Sequence, residues 1–344
     1  MNKPRLLAPA LLLCTALLSA QAQAATATPI TLPAAVASAL SAGSTVRDAQ
    51  AGVTSAASTL KAVLADPSTL ASGLLSAQQA ATLAQSQLAQ ARLIAAQNAI
   101  NAYMALYQTQ EQTELGALQI QVDTKSLQVA QVKLSTKNGT ALDVQNAQNT
   151  LNTSRQNLAD VQAQLVVNSQ KLANVIGKPG VYLASTPPNA PAVKPNTVLS
   201  SGYPTLLKDQ QAVDAAALSV KLADNEFTAR VTLDQARTSL SSAQSTLASD
   251  QKTLLTTLAS AQSAAENARA GYQSALQTEA NSQASYRQDT VRLSSGTISA
   301  VALQQSQLAL KKAQYARAQA LVSLWQALAT LSTASGQDAT GLAK

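Results

Sequence analysis

Gly139-Thr140-Ala141-Leu142-Asp143-Val144-Gln145-Asn146-Ala147-Gln148 and Gly296-Thr297-Ile298-Ser299-Ala300-Val301-Ala302-Leu303-Gln304-Gln305-Ser306-Gln307 are two versions of one pattern. Each reads as a turn between two helices. Val132-Lys133-Leu134-Ser135 closes the helical pattern ahead of the first turn, and Val291-Arg292-Leu293-Ser294 closes the one ahead of the second. Gly139 and Gly296 follow where helix C-caps are expected.

The copies are offset by 159 residues, and the helix after each turn tests that offset. In the first copy Val144, Ala147, Leu151, Ser154, Leu158, Val161, Leu165, Asn168, Leu172 and Val175 recur at alternating steps of three and four, a heptad seam. The offset converts them to Leu303, Ser306, Leu310, Ala313, Arg317, Ala320, Leu324, Ala327, Leu331 and Ala334. Only Ser306 and Arg317 interrupt that small-and-large apolar row. The chain is therefore read as a duplication.

Outward from the turns, the helices are long. From about Thr69 to Thr136 no proline intervenes and Gly73 and Gly116 stand alone, so a single helix of roughly 100 Å is expected. It carries two apolar stripes, Leu115, Leu118, Val122, Val129 and Val132 on one side and Ile120, Leu127 and Leu134 on the other. These lie nearly opposite, so the helix needs neighbours on both flanks. The returning helix, about Leu142 to Ile176, is half as long. A helix at about Thr45 to Leu64 can stack end to end with it, after a shorter one at residues 31 to 43 that has Pro33 in its first turn.

Gly177-Lys178-Pro179-Gly180 ends the first half. Pro179, Pro187, Pro188, Pro191, Pro195 and Pro204 then exclude helix and predict an extended linker. The second half restarts with Val213, Ala217 and Lys221 in the phase of Val53, Ala57 and Lys61, and a second long helix is expected from about Leu233 to Leu293. The division is a signal peptide at 1–24, helical repeat 1 at 25–177, a Pro-rich linker at 178–204, helical repeat 2 at 205–334 and a flexible tail at 335–344.

The leader assignment rests on Lys3 and Arg5, the apolar run Leu6 to Leu18, and Ala22 and Ala24 around Gln23. Cys14, the only cysteine, follows Leu13 and does not read as a lipoprotein site. Cleavage after Ala24 leaves a chain with neither Cys nor His, which removes disulfides and imidazole chemistry. Aromatic residues are 3% of the chain, too few for a thick core, and thin helical layers suit this composition. The net charge is +7, or +5 without Lys3 and Arg5 of the leader, and the remaining charges are scattered along helices, a solvated pattern that predicts no nucleic-acid partner. Glu111, Glu114, Glu266 and Glu279 are spread over helix faces, so no enzyme, metal site or cofactor is expected.

The two repeats, the Gly-Thr turns, the string Asp143-Val144-Gln145-Asn146-Ala147 and the closing Leu172-Ala173-Asn174-Val175-Ile176-Gly177-Lys178-Pro179 resemble the TolC-type outer-membrane efflux family. The resemblance covers most of the chain after the leader. It implies an all-α fold of long antiparallel, coiled-coil-like hairpins. It further implies a homotrimeric helical tunnel that serves as a passive duct in efflux or type I secretion, working with a periplasmic adaptor protein and an inner-membrane pump. The protein would be exported, to the periplasm or the outer membrane. Adaptor docking then falls on Lys137, Asn138, Gly139, Thr140, Ser295, Gly296 and Thr297, in a basic tip with Lys133, Arg287 and Arg292, and Asp143 becomes a gate residue.

Two departures stand out. The family's β-barrel hairpins belong near Leu64 to Gln78 and Leu222 to Leu240, and neither window offers two strands of about 9 to 11 alternating residues. The acidic constriction of the second repeat is replaced by Ala302 and Gln305. A non-conducting coiled-coil spacer or tether of the envelope is the alternative reading.

Overall fold

A computed structural model describes residues 27–185, 188–192 and 198–343. The proposed leader, with Lys3, Arg5 and Cys14, lies outside the described residues, as do Pro187 and Pro195 of the linker.

Chain order is β1 (Thr28–Ile30), α1 (Leu32–Ala42), α2 (Ser44–Ala65), α3 (Ala71–Ser135), α4 (Ala141–Ile176), β2 (Tyr182–Ala184), α5 (Pro204–Ala223), α6 (Arg230–Ser294) and α7 (Ala300–Ser335). The fold is all-α, and its long helices bear out the sequence reading to within a few residues. The 65-residue helices α3 and α6, the 36-residue α4 and α7, and the left-handed caps Gly177 and Gly336 all repeat at the 159-residue offset. Asn225 to Ala229 breaks the chain between α5 and α6, with the Asn225 side chain accepting from the Phe227 N–H at 2.9 Å.

The helices line up as staves of one wall. On one flank of α3 run α4 and, end to end with it, α2; on the other run α7 and α5; α6 packs beyond those two. Gln108 to Tyr315 (3.4 Å), Gln97 to Thr330 (3.2 Å) and Gln90 to Thr333 (3.1 Å) pair rising numbers on one helix with falling numbers on the other, so α3 and α7 are antiparallel. Lys311 bridges Glu111 at 3.1 Å and Glu114 at 2.6 Å in the same register. Because α7 is antiparallel to both α3 and α6, the two Gly-Thr turns fall at one end.

All ten seam residues of α4, and all ten of α7, are buried or half-buried. Arg317, the charged exception in the α7 seam, meets Glu279 of α6 at 3.1 Å. Yet the two copies are covered differently. The helix α7 lies between α3 and α6 and also buries Leu308, Ala318, Leu321, Val322 and Trp325, while α4 leaves Val166 and Val167 exposed on its free side.

Large side chains concentrate at the waist. Ala99, Ile100, Tyr103, Met104 and Leu106 of α3 meet Val36 of α1, Leu172 and Ile176 of α4, and Leu321 and Trp325 of α7, and most of them are fully buried. Tyr103 and Tyr107 are packing residues, as their spacing suggests. The stretch read as an extended linker contributes β2, which pairs in parallel with β1, Thr28 opposite Tyr182. The stretch read as a flexible tail folds back onto the core. Ala339 is buried, and Asp338 Oδ1 accepts from the N–H groups of Thr340 and Gly341, both at 2.9 Å.

Candidate functional site

The turn end is built by the last turns of α3 and α6 and the first of α4 and α7. Lys137 N–H donates to the Leu134 carbonyl (3.0 Å) and Asn138 N–H to the Lys133 carbonyl (2.8 Å). Gly296 and Thr297 repeat both bonds on Leu293 and Arg292, at 3.0 and 2.8 Å. This is the Schellman arrangement, which puts one residue in the left-handed region. That residue is Gly296, with φ 74°, in the second turn and Lys137, with φ 61°, in the first.

Gly139 is therefore not the helix cap it was read as, and not the counterpart of Gly296. The 159-residue offset pairs Gly296 with Lys137. Gly139 serves a different end, since a Cβ there would lie 2.9 Å from the Cβ of Lys133. It lets the chain double back against the helix it has just left.

Thr140 caps α4. Its hydroxyl accepts from the Asp143 N–H (3.1 Å), and its own N–H donates back to Asp143 Oδ2 (2.8 Å), a complete capping box. The Thr140 N–H and hydroxyl hold the Asp143 carboxyl below its usual pKa, and the Lys133 charge adds to the effect. In α7 the cap is Ser299, accepting from Ala302 N–H at 3.1 Å, and Ala302 cannot close a box. Asp143 is thus engaged in starting its own helix.

Lys133, Lys137, Asn138, Thr140, Arg287, Arg292, Ser295, Gly296 and Thr297 are all exposed at this end, and Arg292 pairs with Asp289 at 3.2 Å. Sequence reasoning missed the apolar share of the surface. Val132, Val291 and Leu142 are 60%, 67% and 66% exposed. Val132 and Val291 hold equivalent positions beside Lys133 and Arg292, so each hairpin presents a Val and a basic residue one turn from its tip. The signal was in the paired Val-Lys-Leu-Ser and Val-Arg-Leu-Ser strings, which read only as the close of each long helix, with Val132 assigned to a packing stripe. Among the described residues, no group of three or more acidic, His or Cys side chains could hold a metal ion.

At the opposite end the two barrel windows hold short loops, Asp66–Leu70 and Asp224–Ala229, with no strand in either. No described helix is long and apolar enough to cross a membrane.

No family model and no curated protein sequence matches the chain. Solved structures match it in shape. CusC, a protein studied for its folding and transmembrane channel formation, superimposes with a TM-score of 0.68 at 14% identity, over 90% of this chain and 96% of that one. The outer-membrane protein VceC of Vibrio cholerae gives 0.62 at 13% identity, over 89% and 96%. The MtrE outer-membrane channel of Neisseria gonorrhoeae, in its open state, gives 0.61 at 14% identity, over 90% and 89%. The chain has the fold of the TolC-type outer-membrane channels.

Proposed function

We propose that this chain is one subunit of a trimeric export conduit, a passive duct of helices whose turn end docks a periplasmic adaptor that couples it to an inner-membrane pump. The observation that carries this reading is the open wall. Four staves side by side leave two unpartnered edges, the outer face of α6 at one and the outer faces of α4 and α2 at the other. Three copies joined edge to edge close such a wall into a tube. The likeness to outer-membrane channels over about nine tenths of the chain supports the same reading. The paired Val and basic residues at each tip supply an adaptor with apolar and charged contacts, repeated twice per subunit.

The short loops in place of barrel strands favour one alternative, a helical spacer or tether that spans the envelope without conducting. One experiment separates the two. Lys137→Glu combined with Arg292→Glu reverses the tip charge, while exposed charges at helix ends alter stability by only about 0.3 to 1 kcal/mol each. The conduit reading expects loss of drug efflux or secretion in cells, with unchanged circular dichroism of the purified variant. Export that survives in a folded double variant removes the docking role and leaves the spacer.

A further inference from the structure

We propose that the end opposite the turns is a lipid-binding tip, whose two loops insert shallowly into the polar–apolar boundary of a membrane surface. The loops cap the same end of two touching helices, Asp66–Leu70 ahead of α3 and Asp224–Ala229 after α5. Gln211 of α5 donates to the Gln79 carbonyl of α3 at 2.9 Å and fixes the register there. From that level α5 runs roughly 18 Å to its end at Ala223, and α3 runs roughly 12 Å back to Ala71, so both loops emerge at similar height.

Apolar side chains crown this end. Leu64 is 63% exposed, Leu70 75%, Leu222 65% and Val231 72%, and Phe227 is 97% exposed. Phe227 is the only phenylalanine in the chain, and in a protein so poor in aromatic residues nothing packs against it. A cluster of this kind on a soluble surface marks an interaction site.

The loops also arrive with their polar groups engaged. Asp66 Oδ1 accepts from the Ser68 N–H (2.9 Å) and hydroxyl (2.7 Å). Asn225 Oδ1 accepts from the Phe227 N–H (2.9 Å) and the Thr228 hydroxyl (3.1 Å), and Asn225 Nδ2 donates to the Leu222 carbonyl (2.8 Å). Peptide groups bonded within the loop lose less when water is withdrawn.

Two features favour lipid over a protein partner. Exposure this complete means that the side chains project outward rather than line a groove, and a fluid acyl layer accepts projecting side chains one at a time. The surrounding charges, Lys61, Lys221 and Arg230 against Asp66, Asp224 and Glu226, are all exposed and balance, so no field selects a charged partner. Binding is therefore apolar and indifferent to lipid charge and to salt. It needs no duct and no adaptor, and a trimer would only multiply it.

Flotation of the purified protein with phosphatidylcholine vesicles, and separately with vesicles containing phosphatidylglycerol, tests the proposal. The wild type should float with both, equally at low and high sodium chloride. Phe227→Ser with Leu70→Ser should weaken partitioning roughly tenfold or more, since each change removes a large apolar side chain from the contact. Circular dichroism and light scattering should be unchanged, because both residues are exposed. Phe227→Trp should keep binding, with its emission shifted to the blue and quenched by lipids brominated in the acyl chains. A wild type that stays behind, or a double variant that floats like wild type, overturns the proposal. Binding confined to anionic vesicles at low salt would assign the contact to the basic turn end. A photo-crosslinker at position 227 that reacts with protein and not lipid in intact envelopes would replace the membrane with a protein partner. Export that survives the Lys137→Glu and Arg292→Glu double variant, with vesicle binding intact, would count against the conduit alone.

Discussion

Lys137 holds a backbone conformation that its second-repeat counterpart, Gly296, adopts without steric cost, φ 61° against 74°. An L-residue in the left-handed region loses about 1 to 2 kcal/mol, and glycine recovers that less its own greater freedom in the unfolded chain. Lys137→Gly should therefore raise stability by up to about 1 kcal/mol, and Gly296→Val should lower it by about 1 kcal/mol or more. Urea unfolding of both variants measures this, and equal midpoints for wild type and Lys137→Gly would show the first turn to be unstrained. Strain kept in one hairpin and avoided in the other gives nothing to the fold. It leaves a positive charge at the outermost point of the first tip, where the docking reading wants one.

Between elements, the seam of α5 against α6 contains an unfavourable pair. Asp209 packs towards Asp250, and burial, with the Asp250 charge and hydrogen bond behind it, raises the Asp209 pKa. A raised folded-state pKa means that the contribution to stability is full below the unfolded value, near 3.8, and is lost as pH rises through the folded one. At neutral pH the charged pair therefore weakens this seam. Asp209→Asn should melt above wild type at pH 7, with the difference closing below pH 4. A variant that melts lower at pH 7 would mean that Asp209 makes a contact worth more than its charge costs. The same scale explains why two copies of one helix differ: α7 is covered on two sides and α4 on one, so α7 carries Leu321, Val322 and Trp325 where the 159-residue offset gives α4 the smaller Gln162, Ala163 and Val166.

For the whole molecule, the decisive quantity is mass. The exposed face of α6, with Leu255 56% and Leu276 39% exposed, and the free side of α4, with Val166 54% and Val167 41% exposed, face away from each other in one copy. Edge-to-edge closure covers both, so light scattering should return about three chain masses. A stable monomer at micromolar concentration would leave the wall open and exclude a closed tube.

What the sequence determined by itself was mostly local: the bounds of α1, α2, α3, α4 and α6 to within a few residues, the heptad seam, the 159-residue offset and two windows without barrel strands. Those follow from periodicity and from Gly and Pro punctuation, which act within a few residues. The tip residues were legible as a group but not in their roles. Which of Lys137 and Gly139 turns left-handed depends on how the α3 carbonyls are satisfied, and both residues suit a turn. Only the tertiary structure decided the order of the staves, because a heptad seam specifies a partner's shape and not its identity. It also decided that Thr28–Ile30, Tyr182–Ala184 and the last residues close over the waist. Contacts between segments so far apart in the chain leave no periodic trace in any of them.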